Sequence, residues 1–185
     1  MKHCRLMSIL LVVAFTVGAL TSPNPAAAAS AAEIDRNAQK ALQDLYAKSP
    51  SAKTMGEKAI GILVFPGIVK GGFIVGGQYG EGALVKDGKT VAYYNTIAAS
   101  YGLQAGLQKF GYALFFMTDS ALKYIDKSDG WEIGVGPSIV VVDVGAAASM
   151  TSTTAQSDIY AFFFDQKGLM AGLGLQGTKI TRLEK

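Results

Sequence analysis

The sequence predicts an α+β domain in which N-terminal helices precede a strongly curved, mainly antiparallel, glycine-rich sheet or partial barrel. Three observations carry this. Helical periodicity sits before residue 59, apart from one short segment near residue 120. From Ala59 onward, alternating or continuous apolar runs are divided by turn signals such as Asp87-Gly88, and such segregation of helices from strands marks the α+β class. Finally, many of the 22 glycines fall inside those strand-like runs, where a missing side chain lets a sheet bend or another segment come close.

The N-terminus is set apart from this domain. Lys2 and Arg5 form a positive region ahead of an apolar stretch at 6–20, shorter than the roughly 20 residues of a spanning helix. Residues 26–32 offer several A-x-A cleavage sites, with a cut after Ala29 preferred. Residues 1–29 therefore read as a signal peptide and 30–185 as one exported domain, periplasmic or extracellular and associated with the membrane.

His3 and Cys4 are the only histidine and cysteine, so the mature chain has neither. A disulfide, a Ser-His-Asp triad and a Cys-His pair are thereby excluded, and the usual metal ligands are missing. Without Lys2 and Arg5 the formal charge falls from +3 to about +1, which is no electrostatic footprint for nucleic acid. Neither a dinucleotide fingerprint nor a phosphate-binding loop is present. The expected class is non-enzymatic, with no cofactor and no metal.

The elements follow in order. Residues 33–48 carry Ile34, Ala38, Ala41, Leu42 and Leu45 at helical spacing, with Ser30 and Glu33 placed as a capping box. Ser49-Pro50 stops this helix, and a shorter one follows over 51–58, with Met55 and Ala59 inward. The run 60–65 is a continuous apolar strand that Pro66-Gly67 breaks; alternation resumes at Gly72. One face there carries Phe73, Val75, Tyr79, Ala83 and Val85. The other carries Gly72, Gly76, Gly80 and Gly82 with Ile74, Gln78 and Leu84, a face for a tight bend or for a close approach by backbone or ligand. Asp87-Gly88 predicts a hairpin, returning through strands at 91–97, 100–109 and 110–118. A short helix capped by Thr118 or Asp119 is expected over 119–127, then a strand over 131–137. The β-branched run 139–144 predicts a strand buried on both faces, with Asp143 needing a partner inside it. Residues 145–156 predict a loop or weak edge strand. Strands at 158–164, 169–175 and 179–183 complete the sheet, with a turn at 165–168.

One pattern recurs. Gln78, Gln104 and Gln176 each stand two residues after a glycine, which places Gln and Gly on one face of a strand. The three are expected to converge as a polar interior cluster. The aromatic groups Tyr93-Tyr94, Phe115-Phe116 and Phe162-Phe163-Phe164 read as core and interface.

Taken together, residues 59–82 (AIGILVFPGIVKGGFIVGGQYGEG), 100–106 (SYGLQAG), 158–162 (DIYAF) and 167–177 (KGLMAGLGLQG) resemble the SYLF domain. This lipid-binding module is also known from a yeast actin-patch protein. The resemblance covers nearly the whole mature chain in order. Eukaryotic members bind phosphoinositide membranes and, in fungi, actin filaments, and an amphipathic N-terminal helix is implicated in membrane contact. The resemblance implies a similar role for 33–48 here, with Arg36, Lys40, Lys53, Lys58 and Lys70 as candidate contacts to anionic phospholipid. Gln176 departs from the pattern, standing where relatives often carry an acid. Actin is set aside as a partner of an exported bacterial chain. The expected function is binding at a membrane surface by partial insertion of the helix's apolar face. The alternatives are an envelope scaffold working through protein contacts and a carrier of a small apolar ligand inside the sheet.

Overall fold

The structure is a computed structural model that describes residues 29–126, 130–142, 157–168, 175 and 177–185; within the strands, the side chains at 73, 74, 100–105 and 168 fall outside the description. The expected signal peptide up to residue 28, Asp143, the segment 145–156 and most of 169–175 lie outside the described residues.

Helix α1 (Ala31–Lys48) starts where the capping pattern places it, with Ser30 Oγ accepting from Glu33 N at 3.2 Å. Ser49 both ends α1 and caps α2 (Pro50–Gly56). Its N–H donates to Leu45 O at 2.8 Å, and its Oγ accepts from Ala52 N at 3.3 Å. Pro50 fits the first turn because its missing N–H would have no helical partner there.

The expected strands at 60–65 and 72–86 are a single strand, β1 (Gly61–Lys86). Those expected at 91–97, 100–109 and 110–118 are likewise one, β2 (Lys89–Phe116). The two run antiparallel from Gly61↔Phe116 to Lys86↔Lys89. Asp87 and Gly88 close the hairpin with φ of 49° and 73°, the double-positive turn whose twist suits antiparallel strands. Pro66-Gly67 does not break β1. The pair is absorbed as a bulge between Phe65↔Tyr112 and Ile68↔Phe110, where Pro costs the ladder little.

That bulge shifts the alternation by one, and the two faces of the ribbon become legible. The inner face carries Leu63, Phe65, Ile68, Leu84, Tyr94, Phe110, Tyr112, Leu114 and Phe116, all in one buried cluster with Trp131 and Ile180. The opposite face, here the helix face, carries Ile62, Val64, Ala83, Ala113 and Phe115, which pack against Ile34, Ala38, Leu42 and Leu45 of α1 and against Met55 of α2.

The glycine face is the inner one, and it is where the ribbon folds over on itself. A Cβ on Gly82 would run into Val64 O and into the Phe65 ring; one on Gly80 would lie 2.7 Å from Ile68 Cγ1. A Cβ on Gly72 would collide with Gly76 Cα, which marks the crease. The close backbone approach expected of this face is therefore made by the strand's own first half, and the expected bend lies at its middle.

β2 anchors the rest of the sheet. Its second edge pairs with β5 (Ile159–Gly168) over 108–116 and with β6 (Lys179–Leu183) over 93–97. With β3 (Trp131–Glu132) and β4 (Ile139–Val142), the order is β3-β6-β2-β5-β4, with β1 on β2. The result is a curled, mostly antiparallel half-barrel behind N-terminal helices.

Some local expectations fail. The turn expected at 165–168 is part of β5, because Asp165 takes a φ of 51° inside a bulge between Phe164 and Lys167, a conformation that Asp tolerates better than most residues. β3 is only Trp131–Glu132, and Trp131 Nε1 donates to Val135 O at 3.0 Å to hold the following turn. β4 (Ile139–Val142) is not buried on both faces. Among the described strands it stands last in the order, parallel to β5, with Val140 and Val141 exposed. Helix α3 spans Asp119–Tyr124 and is capped by Thr118 as expected.

Candidate functional site

The helix face of the ribbon is covered at its two ends and bare in its middle. α1 and α2 sit over Ile62, Val64, Ala83, Ala113 and Phe115. Between those zones Val69, Val75, Tyr79, Ile97 and Leu107 share the same face, and they are 47–68% exposed. Register brings them together: Tyr79 pairs with Ile97, and Gly71 with Leu107. Leu107 lies over Gly71, where a Cβ would be 3.2 Å from its Cδ1.

Beside this row runs a groove of about 520 Å³ between α1 and the 66–69 and 79–81 segments of β1, lined among others by Ile34, Lys40, Pro66, Val69, Tyr79 and Lys109. Its acidic side chains are engaged. Asp44 pairs with Lys40 at 2.9 Å, Asp165 with Lys48 at 2.9 Å, and Glu81 with Lys185 at 3.3 Å. The bond to Asp165 pushes the Lys48 ammonium above its ordinary range. Tyr79 donates to Glu81 Oε1 at 3.0 Å, and partial burial together with that carboxylate raises its phenol.

The basic side of the site is different. Lys109 stands directly opposite Lys167 across the β2–β5 ladder. Like charges facing each other across strands repel, and neither lysine has an ion-pair partner among the described residues. The Lys109 stem crosses Gly67, its Cε 3.4 Å from where a Cβ would stand. An exposed apolar row thus abuts an uncompensated pair of cations.

The sequence-derived residues are distributed otherwise. Arg36 and Lys40 are exposed on α1, one turn apart; Lys53 and Lys58 are exposed at α2 and just after it; Lys70 is half-buried in β1. Of these, Lys40 lines the groove. The apolar face of α1, expected to insert into lipid, is already spent: Ile34, Ala38, Ala41, Leu42 and Leu45 are buried against the sheet and α2. This corrects the insertion mechanism, because membrane insertion of α1 would first have to expose those five side chains.

Gln78 does point inward, donating from Nε2 to Thr178 Oγ1 at 3.4 Å. The Gln104 side chain and all of Gln176 lie outside the described residues. Three polar contributors were missed. Thr96 and Tyr112 share a 2.8 Å hydrogen bond on the inner face, and Gln108 is buried there with no partner for Oε1 among the described residues. The even-numbered alternation of Gln108 with Phe110 and Tyr112 was the signal available for it. Nothing local signals the Lys109–Lys167 pairing, which depends on a register between distant strands.

Among the described residues no cluster of three or more His, Cys, Asp or Glu is arranged to hold a metal, and no helix is long and apolar enough to cross a membrane. Residues 97–185, from within β2 through β6, match a family model described as "Ysc84: Las17-binding protein actin regulator". No curated protein matches the chain.

Proposed function

We propose that this chain, which belongs to the SYLF (Ysc84) family, is a non-enzymatic, exported domain that docks on an anionic lipid surface through the bare middle of its β1–β2 ribbon. The observation that carries this is the exposed row Val69, Val75, Tyr79, Ile97 and Leu107 next to Lys109 and Lys167. Contiguous exposed apolar surface on a soluble face marks an interaction site, and a flanking pair of unneutralised lysines suits phospholipid headgroups. Each half-exposed side chain has about 1 kcal/mol left to gain from burial. Each lysine near an anionic surface adds about 1 kcal/mol. After the cost of immobilisation, the sum supports modest, salt-sensitive binding. α1 stays docked in this scheme, and Lys40 meets the surface from the groove wall.

The carrier alternative loses ground because Phe65, Tyr94, Tyr112, Phe116 and Trp131 fill the inner face. A scaffold that uses the same bare face for a protein is the remaining rival. Co-sedimentation with phosphatidylglycerol/phosphatidylethanolamine vesicles separates the two. The protein should pellet at low salt and be released at high salt, and Leu107→Asp and Lys109→Glu should each weaken binding about tenfold. Failure to pellet, or equal pelleting of all three proteins, would remove the lipid reading and leave the scaffold.

A further inference from the structure

Ala29 is held at both ends of its peptide unit. Its N–H donates to Glu81 Oε2 at 3.1 Å, its carbonyl accepts from Lys185 Nζ at 2.6 Å, and its methyl group packs against the cluster under α1. Glu81 and Lys185 are themselves paired, with side-chain exposures of only 10% and 14%. A nearly buried carboxylate and a nearly buried ammonium thus converge on one small residue just before the Ser30 cap.

We propose that the mature chain begins at Ala29, the leader being removed between Ala28 and Ala29; this rests on the reading that the chain is exported. Hydrolysis of that amide by a leader peptidase adds one water across the bond. The leader departs with a carboxylate on Ala28, and the Ala29 nitrogen becomes an α-ammonium facing Glu81. Small residues at −1 and −3 allow a cut after Ala28 (with Ala26) as readily as the cut after Ala29 (with Ala27) that the sequence reading prefers, so the boundary moves by one residue on other grounds. Those grounds are geometric. A cut after Ala29 discards both hydrogen bonds. It also leaves a free ammonium on Ser30, at the positive end of α1, where cations are disfavoured. A cut after Ala28 keeps every contact and converts a neutral donor to Glu81 into a charged one, roughly doubling the strength of that bond.

The test is intact mass and N-terminal sequencing of protein recovered from the envelope and periplasmic fractions of a bacterium expressing the full chain. The expected first residue is Ala29. A chain starting at Ser30 or later, or upstream of Ala29, overturns this assignment while leaving export standing. An unprocessed chain confined to the cytosol overturns both. A second measurement reads the ammonium itself. Glu81→Gln should lower Tm by about 2–4 °C more in a chain starting at Ala29 than in one starting at Ala27. Equal losses in the two chains would show that the ammonium does not act there.

Discussion

Replacing Gly82 by Ala adds one methyl group at the point where the ribbon closes on itself. That methyl would meet Val64 O, a backbone atom with no rotamer to change, and the Phe65 ring, whose Cε1 would be 3.0 Å away. Val64 and Phe65 are both fully buried, so relief requires the two halves of β1 to part. Overpacking of this kind costs about 2–3 kcal/mol, which for a chain of this length lowers Tm by about 4–12 °C. Gly77 is the internal control. It lies in the same strand on the exposed face, and its nearest atom to an added Cβ is Ala98 O at 3.7 Å, an ordinary contact. Ala there should be neutral or stabilise by about 0.4–1 kcal/mol, because it restricts the unfolded chain. Thermal unfolding of the two variants side by side decides the matter. If Gly82→Ala is as harmless as Gly77→Ala, the creased ribbon is not the arrangement in solution.

Leu45→Ala, at the buried face of α1, should cost about 2–5 kcal/mol in denaturant unfolding; a loss below about 1 kcal/mol would mean that α1 is not held on the sheet. Burial and Glu57 push the Tyr46 phenol up to about 12, and burial also raises Tyr94 and Tyr112. Because the folded values exceed the unfolded value of about 10, stability should hold below that pH and fall as pH rises toward 12, with phenolate absorbance lagging behind that of free tyrosine. Tyr46 titrating near 10 in the folded protein would contradict this. At the other limb, hydrogen bonds from Ser138 N, Ser138 Oγ and Thr118 Oγ1 hold the Asp158 carboxyl below its usual range. Its contribution is present above the unfolded value of about 3.9 and is lost as pH falls below it. Asp158→Asn should therefore flatten the acid dependence of Tm, and an unchanged acid limb would refute that role.

What could be read from the sequence was whatever local physics determines. The Ser30 and Thr118 caps, the Ser49-Pro50 break and the Asp87-Gly88 hairpin each follow from a few adjacent residues, and each is present. The glycines at 72, 76, 80 and 82 foretold a crowded face, and alternation assigned Gln78 to the interior. Strand boundaries were less legible, because Pro66-Gly67 and Asp165-Gln166 look like chain reversals but are bulges once β2 is alongside. β4 looked doubly buried because a β-branched run does not reveal that two of its members, Val140 and Val141, are exposed. The site was the least legible part. The apolar face of α1 suits a membrane or a sheet equally well, and only packing shows that the sheet has taken it. The bare row and the Lys109–Lys167 pair arise from register across three strands, beyond the reach of any short window.

Hydrogen exchange with and without anionic vesicles distinguishes a lipid contact made by the ribbon, with α1 still docked, from one made by the helix. Binding should slow exchange over 69–79 and 97–107 and leave the amides of α1 as they were. Vesicle-induced change concentrated in 31–48, with the ribbon unaffected, would rule out docking through the ribbon and return the contact to the helix.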